Sequence, residues 1–443
     1  MSNVDILVEN AKKSLSTLET MDQATIDRIG EAMAKAGLAA SEKLAKMAVE
    51  ETTRGIVADK IIKNTFGSEV VWNSIKDVKT VGIISENEMT GITEIADPVG
   101  VVCGVTPTTN PTSTTMFKIL IALKARNPII FAFHPAAQTC SAAAAQVMLD
   151  AALAAGAPEH VIQWIDTPSI EATRGLMDHP GVALVLATGG EGMVRSAYST
   201  GKPALGVGAG NVPVYLEKTA DLDQAVHDIL LSKSFDNGMI CASEQVIVID
   251  EEIYDAVISK MKASSFYFVD AAGQEKLEAL VIADPNACSL NADIVGRSPQ
   301  WIAQKAGFSV SEDTRIITVE LAGTGRQYPL SREKLSPVLA VVKAKSREEA
   351  LDLCANTLEF GGLGHTAVVH SNDREVQKAY GLRMKANRIV INAPGSHGAI
   401  GIYNDLMPSL TLGCGSQGKN SLSENVSAIH LVNIKRLASR TKG

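Results

Sequence analysis

One stretch of this sequence sets a thiol beside a turn: Ser234-Phe235-Asp236-Asn237-Gly238-Met239-Ile240-Cys241-Ala242-Ser243-Glu244-Gln245. Asn-Gly is a turn signal, so Cys241 falls just past a loop. A thiol at the start of a helix or turn sits among free backbone N–H groups, which lower its pKa and make it a nucleophile. The bland alternative is a buried cysteine acting as a small hydrophobe, and composition by itself favours it. The other five cysteines are blander still. Cys103 lies in an apolar run, Cys140 and Cys354 on helical stretches, and Cys288 in a loop. Cys414 sits between glycines, which reads either as an exposed thiol or as a small residue in a tight loop. There is no CxxC pair, so neither a zinc site nor a disulfide framework is expected.

Four further stretches could carry chemistry. Thr106-Pro107-Thr108-Thr109-Asn110-Pro111-Thr112-Ser113 is a polar loop after a buried strand, and Asn110 could donate its amide to a developing oxyanion. Asn-Pro turn chemistry is the plainer reading. Ala187-Thr188-Gly189-Gly190-Glu191-Gly192 follows a strand and precedes a helix, whose N-terminus could receive a pyrophosphate. Gly206-Val207-Gly208-Ala209-Gly210 has the look of a dinucleotide fingerprint, but Pro213 follows and no helix opens there, so a tight loop is expected. His365, in Phe360-Gly361-Gly362-Leu363-Gly364-His365-Thr366, is either a general base or a satisfied structural histidine. Arg332-Glu333-Lys334-Leu335-Ser336-Pro337 reads, taken alone, as a solvated charge run.

The elements that must position these residues follow from periodicity. Residues 5–50 read as two helices, with Ile26, Ile29, Met33, Leu38, Leu44 and Met47 at helical spacing, and a long charged helix should run on to about Asn73. Val81–Ile84 and Ile92–Ile95 flank a polar turn and predict a hairpin. From Val99, apolar runs (100–105, 128–133, 161–165, 183–187) alternate with helical stretches (115–123, 141–155). Fully apolar strands separated by helices predict a parallel sheet covered on both faces, and right-handed crossovers make it a doubly wound, Rossmann-like unit. The alternation restarts at Tyr215 and runs through Ile389–Asn392, which predicts a second α/β domain. A β-like run, 430–434, and a basic end close the chain.

Composition removes other classes. Across 443 residues the net charge is −8, with 46% apolar and 4% aromatic residues. A disordered chain would be less apolar. Nucleic acid is not an expected partner, since its affinity rests on Lys and Arg neutralising phosphates and on stacking aromatics. No run is long and apolar enough to span a bilayer, and the first twenty residues carry no signal-peptide core, so the expected location is cytoplasmic.

These pieces occur together in an order that resembles the aldehyde dehydrogenase superfamily, and within it the CoA-acylating acetaldehyde dehydrogenases. Those occur free-standing and as the N-terminal half of bifunctional aldehyde–alcohol dehydrogenases. The resemblance covers nearly the whole chain and is most specific over 107–114, 201–211, 235–245, 333–337 and 408–416. It implies that Cys241 is the nucleophile and that Asn110 and the Cys241 backbone N–H form the oxyanion hole. It places His365 near the acyl site and makes Thr106, Pro107, Thr188, Gly189, Gly190, Gly208 and Glu333 cofactor-binding, with Glu333 on the nicotinamide ribose. It implies no metal, NAD as cofactor, CoA as co-substrate, and a homodimer or higher homo-oligomer. The fold it implies is a Rossmann-like cofactor domain (1–78 and 98–212), an α/β catalytic domain (213–409) and a β-hairpin oligomerisation arm (79–97 and 425–443).

One departure from hydrolytic members is informative. Where they carry a Glu-Leu-Gly-Gly segment whose Glu activates water, this chain has Leu205-Gly206-Val207-Gly208-Ala209-Gly210, without a carboxylate. Slow hydrolysis lets a thiol acceptor compete. The expected activity is therefore reversible, NAD-dependent oxidation of acetaldehyde or a similar short aldehyde to acyl-CoA through a cysteine thioester. A hydrolytic or semialdehyde-specific dehydrogenase and a filament-forming structural module are the alternatives. NAD rather than NADP follows from the resemblance alone, because His134-Pro135-Ala136-Ala137 replaces the Lys-x-x-Glu of hydrolytic members. The basic end 435–443 fits a natural terminus or continuation into an alcohol dehydrogenase half.

Overall fold

The computed structural model describes residues 3–442. Met1, Ser2 and Gly443, which the expected cofactor domain and arm include, lie outside the described residues.

The N-terminal stretch forms three helices where two were expected: α1 Asn3–Leu18, α2 Gln23–Ala39 and α3 Ser41–Thr52. Asp22 caps α2 by accepting the Thr25 N–H at 2.8 Å. α2 and α3 are separated at Ala40, where the Ser41 hydroxyl turns back onto Gly37 O. The long charged helix is also interrupted. Thr53 (φ 56°) and Gly55 (φ 82°) are left-handed and end α3. α4 Val57–Thr65 then runs into a π-helical turn, Phe66–Val70, before α5 Val71–Ile75. Gly67 in that turn lies against the chain at Ser113, where an added Cβ would come 2.5 Å from a carbonyl oxygen. A β-carbon is excluded there, and the turn brings α4 against the loop that carries Asn110.

Strands β1 Gly82–Asn87 and β2 Ile92–Pro98 form the expected hairpin. β3 Val102–Val105, β4 Ile129–Ala132, β5 Ile162–Trp164, β6 Leu184–Thr188 and β7 Ala204–Val207 make a parallel five-stranded sheet in the order β5-β4-β3-β6-β7. Helices α6 Pro111–Lys124, α7 Gln138–Ala154, α8 Ile170–Asp178 and α9 Glu191–Tyr198 connect its strands. Every residue of α6 is buried, which explains why no polar face marks it in the sequence. Gly206 and Val207 belong to β7, so the expected tight loop begins only at Gly208.

β8 Val212–Leu216, β9 Glu244–Asp250, β10 Phe266–Phe268, β13 Ile316–Leu321, β14 Val338–Ala344, β15 Gly364–His370 and β16 Ala386–Ile391 form a parallel seven-stranded sheet. A small antiparallel ladder pairs β11 Ile282–Asp284 with β12 Ser289–Leu290. Helix α10 Leu222–Ser234 leads from β8 to the Cys241 loop. The chain ends in β17 Val432–Ala438, which pairs antiparallel with β2 to complete a three-stranded sheet. The β-like run was expected from His430, but 428–431 is a 3-10 turn boxed by Ser427 and His430. The architecture is mixed α/β, with two parallel sheets as expected. Among the described residues no helix is long and apolar enough to cross a membrane, and none group to hold a metal ion.

Candidate active site

The thiol loop is held by its backbone. Asp236 (φ 50°), Asn237 (φ 53°) and Gly238 (φ 74°) are consecutive left-handed residues. Asp and Asn tolerate that region better than other side chains, and glycine tolerates it freely. A Cβ on Gly238 would also sit 2.6 Å from Ser336 O. The Asp236 carboxylate is fully buried and fixes the turn to α4. It accepts Lys60 Nζ at 2.9 Å, the Ile56 N–H at 2.8 Å, and Lys63 Nζ. Removing two ammoniums and a carboxylate from water is costly, and this cluster offsets the cost only while complete. Past it, Cys241 O packs so tightly on Gly210 that a Cβ there would stand 2.0 Å away.

Cys241 is partly exposed and opens into a pocket. Its walls are Lys63, Asn110, His397 and the apolar Ile62, Phe66, Phe235, Ile240, Ile400, Ile402, Leu410 and Leu412. Asn110 is half-buried just before α6, and Pro111 at the first helical position preorganises the start of that helix. Lys63 Nζ donates to Asn110 Oδ1 at 2.6 Å. That bond claims the carbonyl end of the carboxamide and leaves Nδ2 as the end able to donate to an oxyanion. His397 is buried edge-on to the Phe235 ring at 4.7 Å, and burial pushes its imidazole down to about 4. It is therefore neutral in the pocket wall at physiological pH.

His365 is buried behind the thiol. Its Nε2 lies 3.1 Å from Cys241 Sγ and its Nδ1 3.0 Å from Thr366 Oγ1. Burial first, then the Arg388 charge, holds this imidazole well below its ordinary value, so it is neutral. Burial pushes the Cys241 thiol up to about 12; Glu333 and Cys414 push the same way and Arg388 opposes them. Cys414 is fully buried, so the exposed reading of it is wrong: Gly364 and Gly418 press on its backbone and side chain.

The residues expected to hold a cofactor lie where strands of the five-stranded sheet end. β3, β6 and β7 are parallel, so the segments after Val105, Thr188 and Val207 leave the same edge. Thr106 is buried with its hydroxyl unpartnered, and Pro107 follows it half-buried. Thr188 Oγ1 meets Thr411 Oγ1 at 3.3 Å. Gly189 and Gly190 lead into α9, and a Cβ on Gly190 would meet nothing within 4 Å. A Cβ on Gly208 would lie 4.0 Å from Gly418 O. Glu333 comes from the segment that leads into β14 of the other sheet. Its Oε1 accepts the Gly210 N–H at 3.0 Å, and burial pushes its carboxyl up to about 7. An open helix N-terminus, an orphaned buried hydroxyl and a carboxyl able to accept from sugar hydroxyls fit a dinucleotide. The run 332–337 is not the solvated stretch its charges suggest, for none of its residues is exposed. Lys334 is fully buried, with Nζ donating to Leu330 O and Arg332 O at 2.7 Å, and this anchors its neighbour Glu333.

The fold thus brings Cys241, Asn110 and His365 together and sets Glu333 near the thiol. Thr106, Pro107, Thr188, Gly189, Gly190 and Gly208 lie at the ends of parallel strands of the five-stranded sheet. Asp236 and Thr366, which lie inside the motif stretches without a role expected of them, also belong to this region, as do Lys60, Lys63, His397 and Arg388, which no local motif marks. Only the paired lysines three apart on one helix face hint at a shared partner.

The model of the aldehyde dehydrogenase family matches residues 1–268, and the chain belongs to that family. The chain is 54% identical over 445 residues to the aldehyde-alcohol dehydrogenase of Streptococcus pneumoniae serotype 4, a match covering 99% of this chain and 50% of that protein. It therefore spans about half the length of such relatives. It is 40% identical to the succinate-semialdehyde dehydrogenase (acetylating) of Clostridium kluyveri, covering 97% of this chain and 94% of that one. Among solved structures, an acetylating aldehyde dehydrogenase from Geobacillus thermoglucosidasius superposes with a TM-score of 0.97 at 48% identity, covering 99% of this chain and 97% of that one.

Proposed function

We propose that this chain oxidises acetaldehyde or a similar short aldehyde to its acyl-CoA, reversibly and with NAD, through a thioester on Cys241. The observation that carries the reading is the pocket wall: Cys241, Asn110, Lys63, His397 and apolar side chains, with no carboxylate among the lining residues to activate water. The Cys241 thiolate adds to the carbonyl carbon. The developing oxyanion takes a hydrogen bond from Asn110 Nδ2, whose orientation Lys63 fixes, and from the Cys241 N–H. NAD, when bound, supplies the hydride acceptor; Thr106, Pro107, Thr188, Gly189, Gly190, Gly208 and Glu333 would hold it. The thioester then meets the CoA thiol: a C–S bond to CoA forms, the C–S bond to Cys241 breaks, and Cys241 recovers its electron pair. The apolar lining favours a short hydrocarbon chain over a charged one.

Residues 1–78 and 98–212 serve as the cofactor domain, 213–409 as the catalytic domain, and 79–97 with 425–443 as an arm. The outer edge of β17 is unpaired among the described residues, which supports homo-oligomer assembly through it. Six free thiols support a reducing, cytoplasmic setting. The names of the relatives support acyl transfer to CoA.

The test is to supply acetaldehyde and NAD⁺ with and without CoA. NADH formation should depend on CoA, with acyl-CoA as product. Equal rates without CoA, with free acid released, would replace this reading by the hydrolytic one. Turnover surviving in Cys241→Ala would remove the thioester mechanism.

A further inference from the structure

We propose that Arg388 and Thr366 are positioning residues that lock His365 in the tautomer whose Nε2–H points at Cys241 Sγ. The proposal rests on Cys241 being the nucleophile and deepens that reading.

Thr366 and Arg388 are register partners on the adjacent parallel strands β15 and β16. Arg388 is 2% exposed. Its Nε donates to Thr366 Oγ1 at 3.3 Å, its Nη1 to Asn425 Oδ1 at 3.4 Å, and its Nη2 to His365 O at 2.7 Å and Gly364 O at 3.4 Å. All four acceptors are neutral, and no carboxylate of the described residues pairs with it. A buried guanidinium without a counter-charge is an expensive arrangement, and this one stands directly behind the reacting thiol.

The proton positions then follow from donor and acceptor capacity. A guanidinium only donates. Thr366 Oγ1 must therefore accept from Arg388, and the hydroxyl's own proton needs a different acceptor. The acceptor in reach is His365 Nδ1, 3.0 Å away. A ring nitrogen that accepts carries no proton, so the neutral imidazole carries it on Nε2, 3.1 Å from Cys241 Sγ. The opposite tautomer would aim two donors at the Thr366 oxygen and leave its hydroxyl proton without a partner.

His365 is thus a donor to sulfur and not a base for the thiol. The proton of Cys241 leaves to solvent, and the Nε2–H steadies the thiolate that remains. In acyl transfer, the CoA thiol loses its proton to water. The C–S bond to CoA forms, the C–S bond to Cys241 breaks, and the electron pair returns to a sulfur that already faces Nε2–H. The groups facing this unit are few. Cys241 faces Glu333 and Cys414, which hold its thiol up, and Arg388, which draws it down; His365 faces Arg388. Cys414 also lies against Arg388.

The experiment uses full-length protein with ¹⁵N-labelled histidine. Long-range ¹H–¹⁵N spectra would be recorded across pH 6–9, with the His365 signals assigned by their loss in His365→Gln. The expected pattern is an unprotonated Nδ1 and a protonated Nε2, kept in Thr366→Ser and lost in Thr366→Val. In Arg388→Gln the pH profile of Cys241 alkylation should move to higher pH. An Nδ1–H ring, a doubly protonated ring, or an Nε2–H ring unchanged by Thr366→Val would overturn the proposal. If Thr366→Val does not fold, the tautomer of the unmodified protein decides alone. Loss of the nucleophile reading would show separately, as turnover in Cys241→Ala with the ring pattern intact.

Discussion

Two loops of this molecule carry glycines beside a reactive cleft, and they are built in opposite ways. The thiol loop is pinned on every side: three left-handed residues in succession, a buried carboxylate shared by two lysines, and Cys241 O against Gly210. The turn Thr188–Gly190 is open. Gly190 is exposed, a Cβ there would meet nothing within 4 Å, and Thr188 is tied through its hydroxyl to Thr411 Oγ1. The difference teaches which half of the reaction the fold prepares in advance. A nucleophile needs its geometry fixed before substrate arrives, so backbone strain and buried charge are concentrated there. A cofactor turn needs room, and its glycines serve by what they leave out.

The contrast can be broken from the pinned side first. Asp236→Asn leaves Lys60 and Lys63 buried without the carboxylate they pair with and should cost about 3–5 kcal/mol of stability, read by chemical denaturation. Activity should fall with it, because Asn110 loses its fixed Lys63. An unchanged midpoint would show that the cluster does not hold the turn.

Gly210→Ala should spare more of the stability but push Cys241 out of line, lowering kcat/KM by about a hundredfold. Steady-state kinetics beside a melting curve separate the two effects.

Next in size is a pH response. Because burial holds the Cys241 thiol up to about 12, the proton stays on through neutral pH in the cofactor-free protein. Alkylation by iodoacetamide should then rise about tenfold per pH unit from 7 to 10, with no plateau near the ordinary thiol value. By linkage, the folded form keeps this proton longer than the unfolded chain, so this group's contribution to stability falls as pH rises from about 9 towards 12. A plateau below pH 9 would mean the thiol is not raised.

The smallest effect belongs to the open loop. Gly190 has φ −63°, which alanine adopts freely, so Gly190→Ala should change stability by less than about 1 kcal/mol. Its methyl would instead crowd a pyrophosphate and raise the KM for NAD⁺ a few-fold at constant kcat. A large loss of stability would show that this turn is as pinned as the other.

Much of the frame is legible in the linear chain. Val102–Val105 and Ile129–Ala132 are fully buried strands and Leu184–Thr188 is buried through Ala187, and their apolar character predicts a parallel sheet. Asn237-Gly238 marks the turn before Cys241 because those residue types tolerate left-handed backbone. The helix boundaries fail for local reasons: the chain breaks at Ala40 between α2 and α3, and left-handed Thr53 and the π-turn at 66–70 interrupt the expected long charged helix. Cys414 and Lys334 are misread because burial is a property of neighbours far along the chain.

What the sequence by itself determined is the identity of the reactive atoms and the layers that carry them. A thiol after a turn, an amide before a helix, a histidine after glycines and apolar runs at strand and helix periods are all local features. Only the tertiary structure decided how those atoms are set. Lys63 reaches Asn110 across 47 residues and Asp236 across 173, and His365 reaches Cys241 across 124. Arg388 lies on the strand beside Thr366. Hydrogen bonds and charges act over ångströms of space, and distance along the chain carries no record of them until the sheets pair.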